Sequence, residues 1–131
     1  LESTGLRPLP RYQNPGTHDP DARGEAHQEY IKYKGKKSEI PRAAESLLRH
    51  AVYEGGEKET WWARCQCGFF HRFQGSAGAG DVWAEVHWNG TTDERAYGNQ
   101  DAKGRTTKEH VPEHVREQLE YLDPVENCGC R

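Results

Sequence analysis

The four cysteines are the most informative reactive side chains of the chain, and they form two C-x-C pairs, Cys65/Cys67 and Cys128/Cys130. Four thiolates can complete a tetrahedral zinc site, although structural zinc more often uses C-x2-C spacing. Two disulfides are the alternative. Because residues i and i+2 of a strand lie near the distance limit for a disulfide, bridges between the pairs are favoured over bridges within them. The sequence leaves zinc, disulfides and free thiols open, and disulfides would indicate an exported protein.

A second set of side chains suits the cleavage of RNA without a metal. Its members alternate with apolar residues along three predicted strands, so they share one face of a sheet. They are Trp62, Arg64, Phe70, Arg72, Trp83, Glu85 and His87. Glu85 or His87 can take the proton of the 2′-hydroxyl, and His87 can protonate the leaving 5′-oxygen. Arginines can hold the scissile phosphate, and a ring such as Trp83 can stack an unpaired base. The alternative is a solvent-exposed sheet face with ion pairs such as Arg72–Glu85.

The other histidines can be structural or catalytic. His18 precedes Asp19 among turn-forming residues. A carboxylate can fix the tautomer of a catalytic imidazole, whereas the same pair is also ordinary turn chemistry. We treat His18 as a catalytic candidate and Asp19 as a substrate-binding candidate. His71 falls on the apolar face of the predicted sheet, which favours a structural histidine, so it is a second-tier catalytic candidate. The remaining histidines are expected at the surface: His27, His50, His110 and His114.

Local patterns predict the helices that must support these residues. Apolar residues recur at helical spacing over 38–54, which predicts the main helix. A second helix is predicted over 111–122, where Pro112 suits the first turn. The segment 1–25 is rich in Pro, Gly and Asp and reads as an irregular arm. The tail 123–131 carries the second cysteine pair.

Antiparallel strands are predicted between the two helices, over 60–97. They would cover 60–66, 69–74, 81–88 and a stretch near 91–97. A tight turn at Cys67-Gly68 and a hairpin turn at Asn89-Gly90 would connect them, and 98–107 would form a loop. The expected fold is a single α+β domain over 1–131, with a small antiparallel sheet of three to five strands packed on one main helix.

Alternation also predicts which strand residues pack on the main helix. This apolar set comprises Trp61, Ala63, Cys65, Phe69, His71, Phe73, Val82, Ala84, Val86 and Trp88.

Composition limits the possible functions. Hydrophobic residues make up only 33% of the 131 residues, but four Trp and a net charge of -3 argue against disorder. We therefore expect a small domain with a thin, aromatic-rich core. No apolar run is long enough to span a membrane, and the balanced charge excludes a general attraction for nucleic acid. The chain has no Met and begins with Leu1, which favours a fragment of a larger protein.

A series of motifs over residues 10–120 resembles the C-terminal toxin domains of bacterial polymorphic toxins, which end Rhs-type, contact-dependent and other secreted proteins. The motifs are Asn14-Pro15-Gly16-Thr17-His18-Asp19-Pro20, Tyr33-Lys34, Ile40-Pro41, Trp61-Trp62, Phe70-His71-Arg72-Phe73, Val86-His87-Trp88-Asn89-Gly90 and Val111-Pro112 through Val115-Arg116. Phe70 stands where the family pattern has Tyr. The order of motifs is also faintly similar to the cytotoxic domain of ribosome-cleaving colicins.

The resemblance implies a toxin that is secreted as part of a larger protein, acts in the cytoplasm of a target cell and is neutralised by a cognate immunity protein. It further implies a ribonuclease of tRNA or rRNA that needs no cofactor, with a barnase-like or colicin-like fold. The residues carried over are His18, Asp19, His71, Arg72 and His87. The cysteine pairs lie outside the family pattern.

Two alternatives remain open. The first is a non-enzymatic zinc-binding interaction module built on the four cysteines. The second is a toxin domain with another activity. The H-x-E and P-C-x-x-C motifs of zinc deaminases are absent, and His87-Trp88-Asn89 is only weakly similar to the motif of an H-N-H metal nuclease. An acidic immunity protein is expected on the basic segment Lys32–Lys37 together with Arg64 and Arg72.

Overall fold

The computed structural model describes residues 8–33, 40–55, 58–77, 81–93 and 106–130. The strands within these ranges are β1 (Leu9–Tyr12), β2 (Val52–Tyr53), β3 (Glu59–Arg64), β4 (Phe70–Ser76) and β5 (Trp83–Thr91). The helices are α1 (Glu25–Tyr33), α2 (Ala44–Arg49) and α3 (Glu113–Tyr121), with a short 3-10 helix over Lys108–His110. The predicted α+β class, with its small sheet and C-terminal helix, is confirmed.

The strands form one mixed sheet in the order β1-β5-β4-β3-β2. From β2 to β5 the pairing is antiparallel, as predicted. β1 differs, because it comes from the arm that was predicted to be irregular and pairs parallel to β5, with Arg11 opposite Glu85. An edge strand tolerates Pro10, since one side of its backbone needs no partner in the sheet.

The main helix is much shorter than the predicted 38–54. Ala44, Leu47 and Leu48 form the expected buried stripe, but the chain leaves the helix at His50 and enters β2. Before the helix, the Ala43 N–H donates to the carbonyl of Cys128 at 2.9 Å. The tail therefore replaces helical hydrogen bonds before α2, and the pairing of β2 with β3 replaces them after it. Residues 38–39 lie outside the described residues.

β5 continues through Asn89-Gly90, so the hairpin turn predicted there is wrong. Gly90 lies opposite Arg72, and the extra residue Asn89 makes a β-bulge. Arg72 Nε donates to Asn89 Oδ1 at 2.8 Å and holds the bulge. Thr91 ends the strand; positions 94–97 of the further predicted strand and 98–105 of the predicted loop lie outside the described residues.

One face of the sheet packs on α2, and it is the face that alternation predicted to be apolar. Its buried strand residues are Trp61, Ala63, Cys65, Phe73, Ala84, Val86 and Trp88. His71 is also buried on this face, at 1% exposure. Val82 is the exception, because it precedes β5 and is 65% exposed.

The opposite face was predicted to be polar and open, and half of it is neither. Trp62 and Phe70 are buried against Val111, Val115 and Leu119, so α3 covers the part of the face formed by β2, β3 and the start of β4. An amphipathic helix must bury its apolar stripe, and this part of the sheet supplies the partner. The part formed by β5 and β1 stays exposed.

Side-chain hydrogen bonds hold the turn that contains His18. Asn14 Oδ1 accepts from the N–H of Gly16 at 2.9 Å, and Asn14 Nδ2 donates to Asp19 at 2.7 Å. Gly16 has a φ of 92°, and a Cβ there would lie 2.1 Å from the carbonyl oxygen of Ala26 in α1. The motif thus fixes the approach of α1, a helix that the sequence analysis did not predict.

Candidate metal centre and open cleft

Four sulfur atoms from distant parts of the chain form a compact cluster. The Sγ atoms of Cys65, Cys67, Cys128 and Cys130 all lie within 4.8 Å of one another. The Cys65–Cys130 separation is 3.7 Å, Cys67–Cys128 is 3.6 Å and Cys128–Cys130 is 3.4 Å. An S–S bond is about 2.05 Å, and none of the four cysteines forms a disulfide in the structure. The predicted cross-pairs are therefore close together, but they are not disulfides.

Backbone hydrogen bonds hold the first cysteine pair. The Cys65 N–H donates to the carbonyl of Phe69 at 3.0 Å, and the Gly68 N–H donates to the carbonyl of Cys65 at 2.9 Å. Gly68 has a φ of 90°, a conformation that favours glycine. The tight turn predicted at Cys67-Gly68 is confirmed, and it sets the direction of both sulfur-bearing residues.

The tail that carries the second pair is tied to the strand that carries the first. The Val125 N–H donates to the carbonyl of Arg64 at 2.9 Å, and the Val125 carbonyl accepts from Gln66 at 2.9 Å. Further along, the Gly129 carbonyl accepts from Arg42 at 3.1 Å. Gly129 has a φ of 69°, and a Cβ there would lie 2.7 Å from that of Arg42. The tail therefore has a fixed path beside β3 and the start of α2.

His71 lies beside the sulfur cluster, inside the sheet–helix layer. Its Nδ1 accepts a hydrogen bond from Trp88 Nε1 at 3.1 Å. An indole N–H can only donate, so Nδ1 carries a lone pair and the proton of the neutral ring sits on Nε2. Nε2 is 3.4 Å from Cys65 Sγ and 3.7 Å from Cys130 Sγ. His71 therefore donates to sulfur.

The cluster distributes its protons unevenly. A hydrogen bond with Cys130 lowers the pKa of the Cys65 thiol to about 3; burial opposes this, and His71 adds to it. The pKa of Cys130 is raised by the same hydrogen bond, and that of Cys67 by its hydrogen bond with Cys128. Thiols that share protons through such short contacts are suited to a cation that displaces those protons.

On the other face of the sheet, β1 and β5 border an open cleft of about 570 Å³. Arg11 and Glu85 are opposite in the register and share this face. Glu85 accepts from Gln13 Nε2 at 3.2 Å. The guanidinium carbon of Arg11 lies 4.9 Å from the ring centroid of Trp83, a cation–π contact. His87 also lines the cleft, which therefore presents a cation, a carboxylate and an imidazole.

The predicted substrate-binding arginines are not in this cleft. Arg64 donates to carbonyls at the C-terminal end of α3 at 2.9 and 3.0 Å. Arg72 bonds Asn89 and lies 5.9 Å from the ring centroid of Trp62. The β4–β5 register places Glu85 opposite Ser76 and well away from Arg72, so the ion pair considered from the sequence is wrong.

His18 and Asp19 lie outside the cleft as well. His18 is 8% exposed, and its ring meets the ring of Trp88 edge-on at 5.1 Å, on the α2 side of the sheet. Asp19 accepts from Asn14 and from the N–H of Asp21 at 2.9 Å. These contacts support a structural role in the turn for both residues.

Arg11 and Gln13 were not predicted as site residues. Arg11 lies in a strand of four residues whose partner comes far later in the chain, so alternation over Leu9–Tyr12 was its only signal, and Gln13 directly follows that strand. Of the basic segment predicted to bind an immunity protein, Lys34, Lys36 and Lys37 lie outside the described residues.

Comparisons with known proteins assign no function to either site. No family model, no curated protein and no solved structure matches the chain. Among the described residues, no helix is long and apolar enough to cross a membrane.

Proposed function

We propose that this is a zinc-stapled domain in which Cys65, Cys67, Cys128 and Cys130 bind one structural Zn²⁺. The sulfur separations of 3.4 to 3.7 Å carry the proposal. A tetrahedral site with Zn–S distances of about 2.3 Å places its sulfurs about 3.8 Å apart. These three separations therefore need to change only by tenths of an ångström, and no sulfur pair is more than 4.8 Å apart. Four thiolates fill the coordination sphere, and such closed sites are structural.

A metal there would join three parts of the domain. It would tie the tail to the end of β3 and, through the Arg42–Gly129 hydrogen bond, to the start of α2. Structural zinc sites contribute on the order of 10–16 kcal/mol of apparent binding energy, which is as large as the whole stability of a typical domain. For a protein with so few apolar residues, the metal would supply much of the free energy of folding.

The test is metal content, measured on protein purified without added zinc. We expect one zinc per chain, and Co²⁺ exchange should produce the absorption of a tetrahedral four-thiolate site. Cys67→Ser removes the exposed ligand and should lower zinc affinity, whereas Glu117→Ser, an exposed change on α3, should leave it unaltered. Metal-free protein with four titratable thiols would exclude the site, and stoichiometric iron would reassign it.

We propose, as a second function, that the open cleft cleaves RNA. The supporting observation is that Arg11, Glu85 and His87 border one cleft on one sheet face. The resemblance of the sequence motifs to polymorphic toxin domains supports the same substrate. It also supports a toxin role, with delivery in a larger secreted protein, action in the target-cell cytoplasm and a cognate immunity protein.

The chemistry assigns one task to each residue. Glu85 removes the 2′-hydroxyl proton, and the 2′-oxygen attacks the adjacent phosphorus. Arg11 neutralises the charge that develops on the phosphoryl oxygens. His87, protonated, gives its proton to the 5′-oxygen as the P–O5′ bond breaks. The products are a 2′,3′-cyclic phosphate and a 5′-hydroxyl, and exposed Trp83 can stack a neighbouring base.

The assay uses total RNA and zinc-loaded protein without free divalent cations, because a strong chelator would also remove the proposed structural zinc. Discrete fragments with cyclic phosphate ends are expected. Glu85→Gln and His87→Ala should each slow cleavage by about 100-fold or more. The matched controls Glu113→Gln and His114→Ala, on exposed positions of α3, should not. Intact RNA, or equal rates in both sets, would exclude the cleft and leave a zinc-binding interaction module.

A further inference from the structure

Three side chains connect the sulfur cluster to the middle of the sheet. Trp88 Nε1 donates to His71 Nδ1 at 3.1 Å, and His71 Nε2 lies 3.4 Å from Cys65 Sγ. All three residues are at most 1% exposed. Each member of this chain has one feasible role, since the indole donates, Nδ1 accepts and Nε2 donates. The chemistry of these groups therefore determines the direction of both hydrogen bonds.

We infer that His71 is a positioning residue of the metal centre, which donates its Nε2–H to the metal-bound thiolate of Cys65 while Trp88 fixes its tautomer. The inference rests on the proposed zinc site. It separates His71 from any part in the chemistry of the cleft, because His71 and the cleft lie on opposite faces of the sheet.

The charge of the site explains why such a donor is needed. Zn²⁺ with four thiolates carries two net negative charges, and Cys65 and Cys128 are 0% and 3% exposed. Buried charge is costly unless hydrogen bonds compensate it. Cys65 receives two such bonds, from the backbone N–H of Phe69 and from His71. The most buried sulfur thus has two donors that compensate part of its charge, which is the arrangement expected of an anionic metal site.

His71 is not itself a ligand in this arrangement. A zinc–nitrogen bond is about 2.0–2.1 Å long and requires a lone pair on the nitrogen. Nε2 carries the proton, and the lone pair of Nδ1 faces Trp88. A ligand role would need the ring to give up the bond from Trp88 and one cysteine to leave the site. Partners that orient a metal site without touching the metal typically change its affinity by about 10–100-fold when they are removed.

The experiment compares metal binding in four variants, with Zn²⁺ competition against a chromophoric chelator and Co²⁺ absorption as readouts. His71→Leu should lower zinc affinity by about 10–100-fold and shift the sulfur-to-cobalt charge-transfer band, because the thiolate loses a donor. His71→Gln keeps an N–H near the position of Nε2 and should restore most of the affinity and the band. Trp88→Phe removes the N–H that fixes the tautomer, together with part of the buried ring, and should act on metal binding in the same direction as His71→Leu.

Trp62→Phe is the matched control. Trp62 is also a buried tryptophan whose Nε1 donates to a side chain, here Glu54, but it lies on the α3 side of the sheet. It should lower stability without changing the cobalt spectrum or the zinc affinity.

The outcomes distinguish a failure of the zinc site from a failure of the role of His71. Wild-type protein that binds neither Zn²⁺ nor Co²⁺ overturns the zinc site and this inference together. If the wild type binds metal, and affinity and spectrum are unchanged in Trp88→Phe and in His71→Leu where it folds, the role of His71 alone is overturned. Equal effects in Trp62→Phe and Trp88→Phe would also overturn it, since both would then act through general stability.

Discussion

Replacing Arg64 tests whether this residue binds substrate, as its position on the strand predicted, or secures α3, as the structure indicates. Arg64→Met keeps the apolar stem and removes the guanidinium. Nε donates to Leu119 at 3.0 Å and Nη2 to Leu122 at 2.9 Å, with a weaker contact to Glu120 at 3.5 Å. These are carbonyls at the C-terminal end of α3, where a helix has no internal donors and favours a positive charge.

The magnitude follows from those contacts. A hydrogen bond from a charged donor contributes about 1.5–3 kcal/mol when buried. The bond to Leu119 is partly buried and the one to Leu122 is exposed, so the pair should contribute about 2 kcal/mol together. For a domain of this size, 1 kcal/mol corresponds to roughly 3–4 °C in Tm, which gives a decrease of about 7 °C.

Urea unfolding followed by tryptophan fluorescence measures the loss, and the RNA assay is run on the same preparations. We expect Arg64→Met to lose about 2 kcal/mol and to keep its activity per folded molecule. Arg64→Lys, with one compact donor group, should fall between wild type and Arg64→Met. Unchanged stability together with a 100-fold loss of cleavage would refute the reasoning, because Arg64 would then contact RNA and the cleft would be misplaced.

Other perturbations test the core, the proposed metal and the partly buried phenol of Tyr12. Leu47→Ala should cost about 2–5 kcal/mol in urea unfolding, because Leu47 is fully buried under the sheet; a loss under about 1 kcal/mol contradicts that packing. Chelation of the metal should lower Tm by more than any of these substitutions, and an unchanged Tm contradicts a structural zinc. Burial, with Asp19 and Glu45, raises the pKa of Tyr12 to about 12. The phenol of the unfolded chain ionises near pH 10. The free energy of unfolding therefore keeps its full value below about pH 10 and decreases toward pH 12. The decrease should be less than about 2 kcal/mol, because this side chain is partly exposed. Tyr12→Phe should lose less stability than wild type over that interval, and equal losses would contradict the shift.

Local patterns predicted the parts of the fold that local interactions decide. The strands β3 and β4 are adjacent in sequence and joined by a turn at Gly68, so alternation alone assigned Trp61 and Phe73 to the buried face. The same holds for α3, whose apolar stripe at Val115 and Leu119 was read from its spacing. In these elements the sequence period and the tertiary contacts agree.

The predictions that were wrong concern elements whose structure depends on partners far along the chain. A helical stripe does not show that the N–H of Ala43 will bond the tail, and so it overstated the length of α2. An Asn-Gly pair has the same composition in a hairpin and in a bulge; here Arg72 binds Asn89 and the strand continues. The cysteine spacing likewise indicated two pairs, while their union depends on the pairing of Cys65 with Val125.

The two proposed sites are linked by one strand. Glu85 and His87 face the cleft, while Trp88, next to His87, faces the metal centre and contacts both His71 and the ring of His18. The contacts that fix Trp88 also hold the strand that carries Glu85 and His87. This matters because acid–base groups act only when they are held within about 0.5 Å of their productive positions. Loss of zinc should therefore reduce cleavage even though a closed four-thiolate site has no open position for substrate. Dependence on a metal and catalysis by a metal are thus separable here: Co²⁺ in the cysteine site should preserve the rate, because the geometry of the staple is retained.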